Sequence, residues 1–245
     1  MTSYHILDIV FDYNGQQQVI HPVLIQDGTD TILVDCGYPD FERLLEEAMA
    51  KYAIRLDSLN KLILTHHDMD HMGSAAALKR KYPHIEIAAS EVEAPYVNGC
   101  QQALRLTQAE ASLDDLPEAE RGYAEQFIQY LKSIEAVDVD RILGSGERLP
   151  WCGGIEVVST PGHTAGHISL YLPASRALIA GDAVVIEDDK LNIANPEYAD
   201  HLEQAISSAE RLLDYDIEQL VCYHGGRFQG DVKEALRELV REYRE

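Results

Sequence analysis

The sequence predicts a mixed α/β fold in which two β-sheets pack face to face and helices cover their outer faces. Three observations support this prediction. Both halves of the chain contain short apolar runs of strand length, and both contain segments with apolar residues at helical spacing. The chain has 245 residues, of which 46% are hydrophobic, so it can bury a full core. We therefore expect a single domain over residues 1–245, with a helical insert at about 91–137 between the two halves.

The expected elements follow in order along the chain. Apolar runs predict strands at 4–9, 18–25, 31–34, 61–64, 85–89, 155–159, 168–172, 177–180 and 217–222. Apolar residues three and four positions apart predict helices near 41–48, at about 72–82, 117–135 and 199–213, and from 231 onwards. The pair Asn14-Gly15 favours a turn between the first two strands. The aromatic and apolar stripe at 123–134 is expected to pack on the core.

The charge of the chain narrows the class of partner. It carries 42 acidic and 20 basic residues, for a formal net charge of −22. Nucleic acids and anionic membranes are bound by clustered Lys and Arg, so this balance argues against both. No apolar stretch reaches membrane-spanning length, and the first residues lack a signal-peptide pattern. The four cysteines are scattered, so we expect a reduced, cytoplasmic protein. We further expect a small-molecule substrate and a monomer or homodimer.

Metal-competent side chains follow several of the predicted strands. The segment 65–71, with the sequence THHDMDH, comes directly after the apolar strand at 61–64. His and Asp are ligands that hold Zn, Fe or Mn and leave coordination positions open for chemistry, although a His-rich polar turn would look the same in isolation. Other strand ends carry the same residue types beside glycine, which lets the backbone turn tightly: Asp35, His163, Asp182 and His224. The repetition predicts one metal site along a sheet edge.

On these residues, and in this order, the chain resembles the metallo-β-lactamase superfamily of metallo-hydrolases. The matching segments span residues 31 to 226: Asp35-Cys36-Gly37, the His66 to His71 cluster, Thr160-Pro161-Gly162-His163, Gly181-Asp182 and His224. The resemblance implies a four-layer αββα sandwich with the metal site at the edge between the two sheets. It also implies two divalent ions, with Zn expected.

The resemblance assigns the ligands by position. It implies that His66, Asp68 and His163 hold the first ion. It further implies that Asp70, His71 and His224 hold the second ion, that Asp182 bridges the two, and that Asp35 supports the site without touching metal. We read His167 as a supporting residue of the same kind.

Position 68 departs from the family pattern. The usual His-x-His-x-Asp-His motif becomes His-x-Asp-x-Asp-His, so Asp68 stands where a histidine is expected. His67 is an alternative ligand, but neighbouring side chains in an extended segment point in opposite directions, which favours Asp68 and leaves His67 as a supporting residue. A carboxylate there reduces the positive charge of the site and suits harder ions, so Fe or Mn becomes possible beside Zn.

Three residues are candidates for substrate binding: Tyr198, Tyr223 and Arg227. Arg227 can pair with a substrate carboxylate, although a surface salt bridge is the common fate of such a residue. In related lactonases and thioesterases, the region between the two halves shapes the substrate pocket. The resemblance therefore implies that the insert at about 91–137 borders the active site.

The expected activity is hydrolysis by a metal-bound hydroxide, with Asp70 and Asp182 as catalytic residues that move a proton to the leaving group. An ester or lactone of a small molecule is the expected substrate. A thioester, as in glyoxalase II-like enzymes, is the alternative within the same class. Two alternatives of another class stay open: a di-iron redox protein and a metal-binding sensor without catalysis.

Overall fold

Two mixed β-sheets lie face to face in the computed structural model, which describes residues 2–13, 15–197 and 199–245. The strands are β1 (Ser3–Ile6), β2 (Ile9–Tyr13), β3 (Gln16–Ile20), β4 (Val23–Gln26), β5 (Thr31–Val34), β6 (Lys61–Ile63), β7 (Glu86–Ser90), β8 (Arg141–Leu143), β9 (Arg148–Leu149), β10 (Ile155–Ser159), β11 (Ile168–Leu172), β12 (Ala177–Ile179), β13 (Val185–Glu187), β14 (Lys190–Asn192), β15 (Gln219–Cys222) and β16 (Gly226–Arg227). The helices are α1 (Glu42–Ala50), α2 (Met69–Met72), α3 (Ala75–Lys81), α4 (Ala94–Val97), α5 (Leu104–Ser112), α6 (Glu118–Lys132), α7 (Leu202–Arg211) and α8 (Val232–Arg244).

The first sheet has the strand order β1-β4-β5-β6-β7-β8. Strands β5, β6 and β7 run parallel, with Val34 opposite Ile63 and Ile63 opposite Ala88. Parallel neighbours end at the same edge of a sheet. The segments that follow β5 and β6 therefore leave the sheet side by side, which brings Asp35 close to the segment 65–71.

The second sheet has the strand order β16-β15-β12-β11-β10-β9. Strands β12 and β15 run parallel, with Ile179 opposite Val221, so the segments containing Asp182 and His224 leave the same edge. Strand β11 is antiparallel to both β10 and β12. The loop between β10 and β11, which carries His163, lies at that edge too.

Three apolar clusters show the four layers of the sandwich. The cluster between the sheets includes Ile32 and Ile63 from the first sheet and Leu170 and Ile179 from the second. A second cluster packs α1 and α3 against the outer face of the first sheet. A third packs α7 and α8 against the outer face of the second sheet. Each sheet thus buries both faces, and the predicted αββα sandwich is confirmed.

Three of the predicted elements are divided in the structure. The strands predicted at 4–9 and 18–25 are each split, because β2 and β3 form a hairpin of their own while β1 pairs with β4 in the first sheet. The helix predicted at about 72–82 is also split, since α2 ends at Met72 and α3 begins at Ala75. Gly73 lies between them, where an added Cβ would come within 2.4 Å of the Met69 carbonyl oxygen.

Residues 91–137, which we call the insert, contain α4, α5 and α6. The stripe expected to pack on the core does so in part: Ile134 packs against the apolar cluster outside the first sheet and Leu131 is buried, whereas Tyr123 is 63% exposed. All four cysteines are free thiols. Within the described ranges, no helix is both long and apolar enough to cross a membrane.

Candidate metal centre

Seven side chains predicted to bind metal lie together at the edge between the sheets. Three overlapping groups have ligand atoms that all lie within 4.8 Å of one another: His66 with Asp68 and His163, His66 with His71 and Asp182, and Asp70 with His71 and His224. The segments that follow β6, β10, β12 and β15 supply these residues, so both sheets contribute. We call His66, Asp68 and His163 the first site, and Asp70, His71 and His224 the second site.

Asp68 faces both histidines of the first site. Its Oδ2 atom lies 3.2 Å from Nε2 of His163 and 3.7 Å from Nε2 of His66. The backbone at Asp68 is extended, and α2 begins at the next residue. This change from extended to helical backbone turns the side chains on either side of it toward one point.

Asp182 lies between the two sites. Its Oδ2 atom is 3.5 Å from Nε2 of His71, 3.6 Å from Nε2 of His163 and 3.6 Å from Nε2 of His224. In the second site, Oδ2 of Asp70 lies 3.2 Å from Nε2 of His224. A carboxylate that faces imidazoles of both sites has the geometry that a bridging ligand needs.

Asp35 fixes the histidines from the side away from the cluster. Its Oδ2 atom lies 2.9 Å from Nδ1 of His71 and accepts a hydrogen bond of 2.8 Å from the Thr65 hydroxyl. Its Oδ1 atom accepts the Thr65 backbone N–H. The Thr65 hydroxyl oxygen is in turn 3.0 Å from Nδ1 of His66. Both rings are thereby held with Nδ1 engaged and Nε2 directed at the cluster, as in metal-binding histidines generally.

His167 uses both ring nitrogens within the protein. Nε2 accepts the backbone N–H of Asp182 at 2.9 Å, and Nδ1 lies 2.9 Å from the Thr160 hydroxyl. Burial, together with the positive charge of His66 and His163, holds the pKa of His167 well below its usual range. His167 is therefore a neutral side chain that orients the loop of Asp182.

His67 points away from the cluster, into a buried contact with Glu93. The Glu93 carboxylate accepts the His67 backbone N–H and bonds Nδ1 of its ring. It also accepts the Thr164 hydroxyl at 2.7 Å and the Gly166 N–H at 2.9 Å. Glu93 thus ties the loop of His66 to the loop of His163. The ring of His67 also stacks on Tyr96, and among the described residues His67 belongs to none of the three ligand groups.

Arg105, on α5 of the insert, contacts Asp68. Its guanidinium donates to Oδ2 of Asp68 at 3.3 Å. Beside this pair, a cavity of ≈ 240 Å³ lies between the insert and the segment that carries Asp68. Its apolar walls include Met69, Leu106 and Leu131. Glu93 and Arg105 were not among the residues predicted from sequence. Glu93 follows β7 by three residues but has no glycine beside it, and Arg105 lies on a helix outside any recognisable motif.

The carboxylates of the centre are ionised despite their burial. Burial alone raises the pKa of Asp68, but hydrogen bonds with His163 and His66 hold it well below its usual range. Burial also raises the pKa of Asp182, but the nearby His224 and His71 outweigh this effect and hold the pKa well below its usual range. Burial lowers the pKa of His71, but Asp182 and Asp70 raise it well above the usual value. The pKa values of His71, His163 and His224 are raised, so protons on these imidazoles balance the carboxylates, and a bound divalent ion would replace them.

The residues of the centre fit a metal ion. In the part of the chain that the structure describes, Nε2 of His66, Nε2 of His71 and Oδ1 of Asp182 are buried without a hydrogen-bond partner. Buried polar atoms are nearly always paired, so three such atoms in one cluster require an explanation. Imidazole nitrogen and carboxylate oxygen form the ligand set of zinc and of related divalent ions, and an ion between them would satisfy these atoms.

Tyr223 and Arg227, two of the three residues expected to bind substrate, lie in different surroundings. Tyr223 is buried, its hydroxyl donates to the Asp70 carbonyl oxygen, and its ring lies 3.9 Å from that of His71. Arg227 lies over the ring of Tyr4 and lines a different cavity, of ≈ 370 Å³, with His5 and His21. Tyr198 lies outside the described residues. Tyr223 therefore supports the second site, and Arg227 lies apart from it.

Comparisons with known proteins agree with this geometry. The family model of the metallo-β-lactamase superfamily matches residues 18–224. The probable metallo-hydrolase YybB of Bacillus subtilis is 24% identical over 99% of this chain and 97% of its own length. The hydroxyacylglutathione hydrolase of Mesorhizobium japonicum is 28% identical, over 50% of this chain and 33% of its own.

A solved structure shares the fold over almost the whole chain. A metallo-β-lactamase family protein from Thermus thermophilus superimposes with a TM-score of 0.77 at 23% identity, covering 98% of this chain and 79% of that one. The superfamily match covers most strands of both sheets and every loop that carries a candidate ligand. The chain belongs to the metallo-β-lactamase superfamily, and it is a metallo-hydrolase of that superfamily.

Proposed function

We propose that this chain is a single-domain, two-metal hydrolase that cleaves an ester or lactone bond in a small molecule. The observation that carries the proposal is the convergence of seven ligand side chains into three overlapping groups, with Asp182 facing both sites. A protein that only sensed a metal would need one group. Two adjacent groups with a shared carboxylate are the arrangement of two-metal hydrolysis.

The residues that would hold the ions are those of the first and second sites, with Asp182 between them. Zn suits this set, and the extra carboxylate of Asp68 also makes it suitable for Fe or Mn. When bound, such ions polarise a carbonyl oxygen and acidify water near neutral pH. The rest of the reaction depends on how the protein holds the substrate and moves protons.

Asp70 and Asp182 are our proposed proton carriers. His71 and His224 lower the pKa of Asp70 against the effect of burial, so this carboxylate is ionised before the reaction. The side chain of Asp70 is 14% exposed and that of Asp182 is 4% exposed. Asp70 therefore has better access to a substrate, and we assign it the role of accepting a proton from the attacking water and passing that proton to the leaving group.

The cavity beneath the insert supports a small, partly apolar substrate. It begins at Asp68 and is walled by Met69, Met72 and Leu106, with Ile134 from the segment after α6. At ≈ 240 Å³ it has room for a short acyl or lactone portion. The net charge of −22 also disfavours nucleic acid as the substrate.

Thioester hydrolysis is the second candidate. The observation that favours it is the similarity to hydroxyacylglutathione hydrolases, which covers half of this chain in one case and 66% in another. A two-iron redox protein remains a third proposal, because Asp68 adds a hard oxygen ligand to the first site.

Metal analysis followed by a substrate panel tests the proposal. We expect close to two divalent ions per chain and turnover of lactones and esters above that of thioesters. His71→Gln should remove one ion and most of the activity. His84→Gln is the matched control, because that exposed ring contacts the Leu59 carbonyl oxygen and the Tyr82 ring and belongs to none of the three ligand groups. A chain that binds no metal and hydrolyses nothing in the panel would refute the proposal, and two irons with a visible absorption band would favour the redox alternative.

A further inference from the structure

Arg105 and Asp68 form a partly buried ion pair at the first site. The Arg105 guanidinium lies 3.3 Å from Oδ2 of Asp68, which is the oxygen that also faces His163 and His66. The two side chains are 19% and 13% exposed. Exposed ion pairs contribute little to the stability of a protein. A partly buried pair that includes a candidate ligand, however, restricts the direction in which that ligand can point.

The pair also changes the charge at the first site. A neutral imidazole at position 68 carries no charge, whereas the carboxylate of Asp68 carries one negative charge. The guanidinium of Arg105 is always protonated and cancels it. Asp68 and Arg105 together therefore have the net charge of the histidine that the family motif places at this position.

The insert places Arg105 by a second contact. The backbone N–H of Leu104, the residue before Arg105, lies 3.4 Å from Nε2 of His67. Glu93 holds the other side of the His67 ring. The start of α5 is therefore fixed to the segment 65–71 at adjacent residues. Lys132, another cation beside this cavity, pairs with Glu110 at 2.6 Å instead.

We propose that Arg105 is a positioning residue for the first metal site, and that the Asp68–Arg105 pair takes the place of a neutral histidine ligand. Arg105 holds the carboxylate toward His163 and cancels its charge. The inference rests on the proposed metal centre, and it makes the insert part of that centre.

A double-mutant cycle on positions 68 and 105 tests this role. Zinc retention is measured by competition with a chromophoric chelator on the wild-type chain, Arg105→Gln, Asp68→His and the double variant. With Asp68 present, Arg105→Gln should weaken zinc retention on the order of tenfold, because the carboxylate loses its partner. With histidine at position 68, the same change should strengthen retention, because a cation beside a cationic site is removed. The expected result is this reversal of sign.

Two further variants keep the test decisive. Arg105→Lys retains the charge without the planar fork, so its zinc retention should lie between those of wild type and Arg105→Gln, even if the Asp68→His chains do not fold. Lys132→Gln removes the same charge from the same cavity wall and should leave zinc retention unchanged. Thermal unfolding of each metal-free variant controls for folding.

The outcomes separate this inference from the proposed function. Zinc binding by the wild type with no reversal of sign, or with Arg105→Gln within about twofold of wild type, would overturn the role of Arg105 alone. A wild-type chain that binds no zinc, iron or manganese would overturn the proposed centre and this inference with it.

Discussion

The two proposed metal sites differ in what holds them. The second site is supported by the sheets: Asp35 at the end of β5 holds His71, and Tyr223 at the end of β15 lies against the His71 ring. The first site depends on the insert as well, through Arg105 on Asp68 and through Glu93 on the loops around it. The second site also opens to solvent, since the side chain of His224 is 36% exposed and that of His163 only 2%.

This difference indicates in which part of the protein substitutions can be made without disturbing the fold. The strand ends that support the second site are also needed for the sandwich, so changes there affect the whole fold. Within the insert, α5 contributes little to the core, because none of its residues is buried. Changes in the insert can therefore adjust the first site and its adjoining cavity while the second site stays intact.

The largest expected effect comes from removing the residue that both sites share. Asp182→Asn should release both ions and reduce hydrolysis by about a thousandfold, because about 4 kcal/mol of transition-state stabilisation depends on them. Metal analysis and turnover of the best panel substrate measure this. Asp189→Asn, in an exposed turn, is the matched control. Full metal content in Asp182→Asn would show that the two sites are independent.

A change at Asp35 should separate the sites. Asp35→Asn replaces a carboxylate oxygen that faces His71 and Thr65. We expect a loss of metal affinity of about 10–100-fold, larger at the second site. A chelator titration that resolves two steps measures this. Equal weakening of both steps would contradict the view that Asp35 acts mainly through His71.

The counterpart of Asp35 for the first site is Glu93. Glu93→Gln keeps the volume but leaves one of its four buried donors without an acceptor, so the free energy of unfolding should fall by about 1–3 kcal/mol. Urea unfolding of the metal-free protein measures it, with the exposed Glu91→Gln as control. An effect below about 0.5 kcal/mol, the usual range of surface changes, would mean that Glu93 does not tie the two loops together.

The pH dependence of stability should differ between the metal-free and metal-loaded protein. The pKa values of His71, His163 and His224 are raised above 6.5, since nearby carboxylates outweigh burial. These three histidines therefore stabilise the metal-free protein. Their contribution to the free energy of unfolding is complete below pH 6.5 and is lost as the pH rises through their pKa values in the folded protein. Asp68 and Asp182 have pKa values below 3.8, so their contribution is lost only in acid.

Metal binding needs deprotonated imidazoles, so the affinity for the metal increases with rising pH. The gap in Tm between loaded and metal-free protein should therefore widen by several degrees from about pH 6 to about pH 8.5. Calorimetry with and without a chelator measures the gap. A constant gap would show that the histidines are not protonated in the metal-free protein.

The smallest expected effect is at Arg227. Its guanidinium lies over Tyr4, 5.9 Å from the ring centroid, in a cavity separate from that of Asp68. Arg227→Gln should therefore change metal content and kcat/KM by less than about twofold. A tenfold rise in KM for an anionic substrate would instead restore Arg227 as a substrate contact.

The sequence was sufficient for the fold and for the family, and both predictions are confirmed. It succeeded because each candidate ligand lies in a segment that begins at a strand end, so the strand that precedes the segment largely determines where the ligand lies. Asp35 and the segment 65–71 are examples, since parallel pairing of β5 with β6 places them side by side. The ligand set and the single-domain organisation remain predictions.

Contacts made across the insert could not be predicted from sequence. Glu93 and Arg105 lie 26 and 37 residues from the partners they contact, and their roles appear only when the insert docks. Tyr223 was expected to face substrate because it precedes His224. Successive side chains of an extended segment point in opposite directions, which turns Tyr223 beneath His71 instead.

The candidate ligands are spread from His66 to His224, and neither sheet holds a complete site alone. Such a centre cannot exist while the halves are apart, so its long-range contacts form late in folding. Metal binding would then show that the two halves of the chain have packed together. Fragments, half-folded chains and misdocked species should remain without metal, which makes metal content a measure of correctly assembled protein in any preparation.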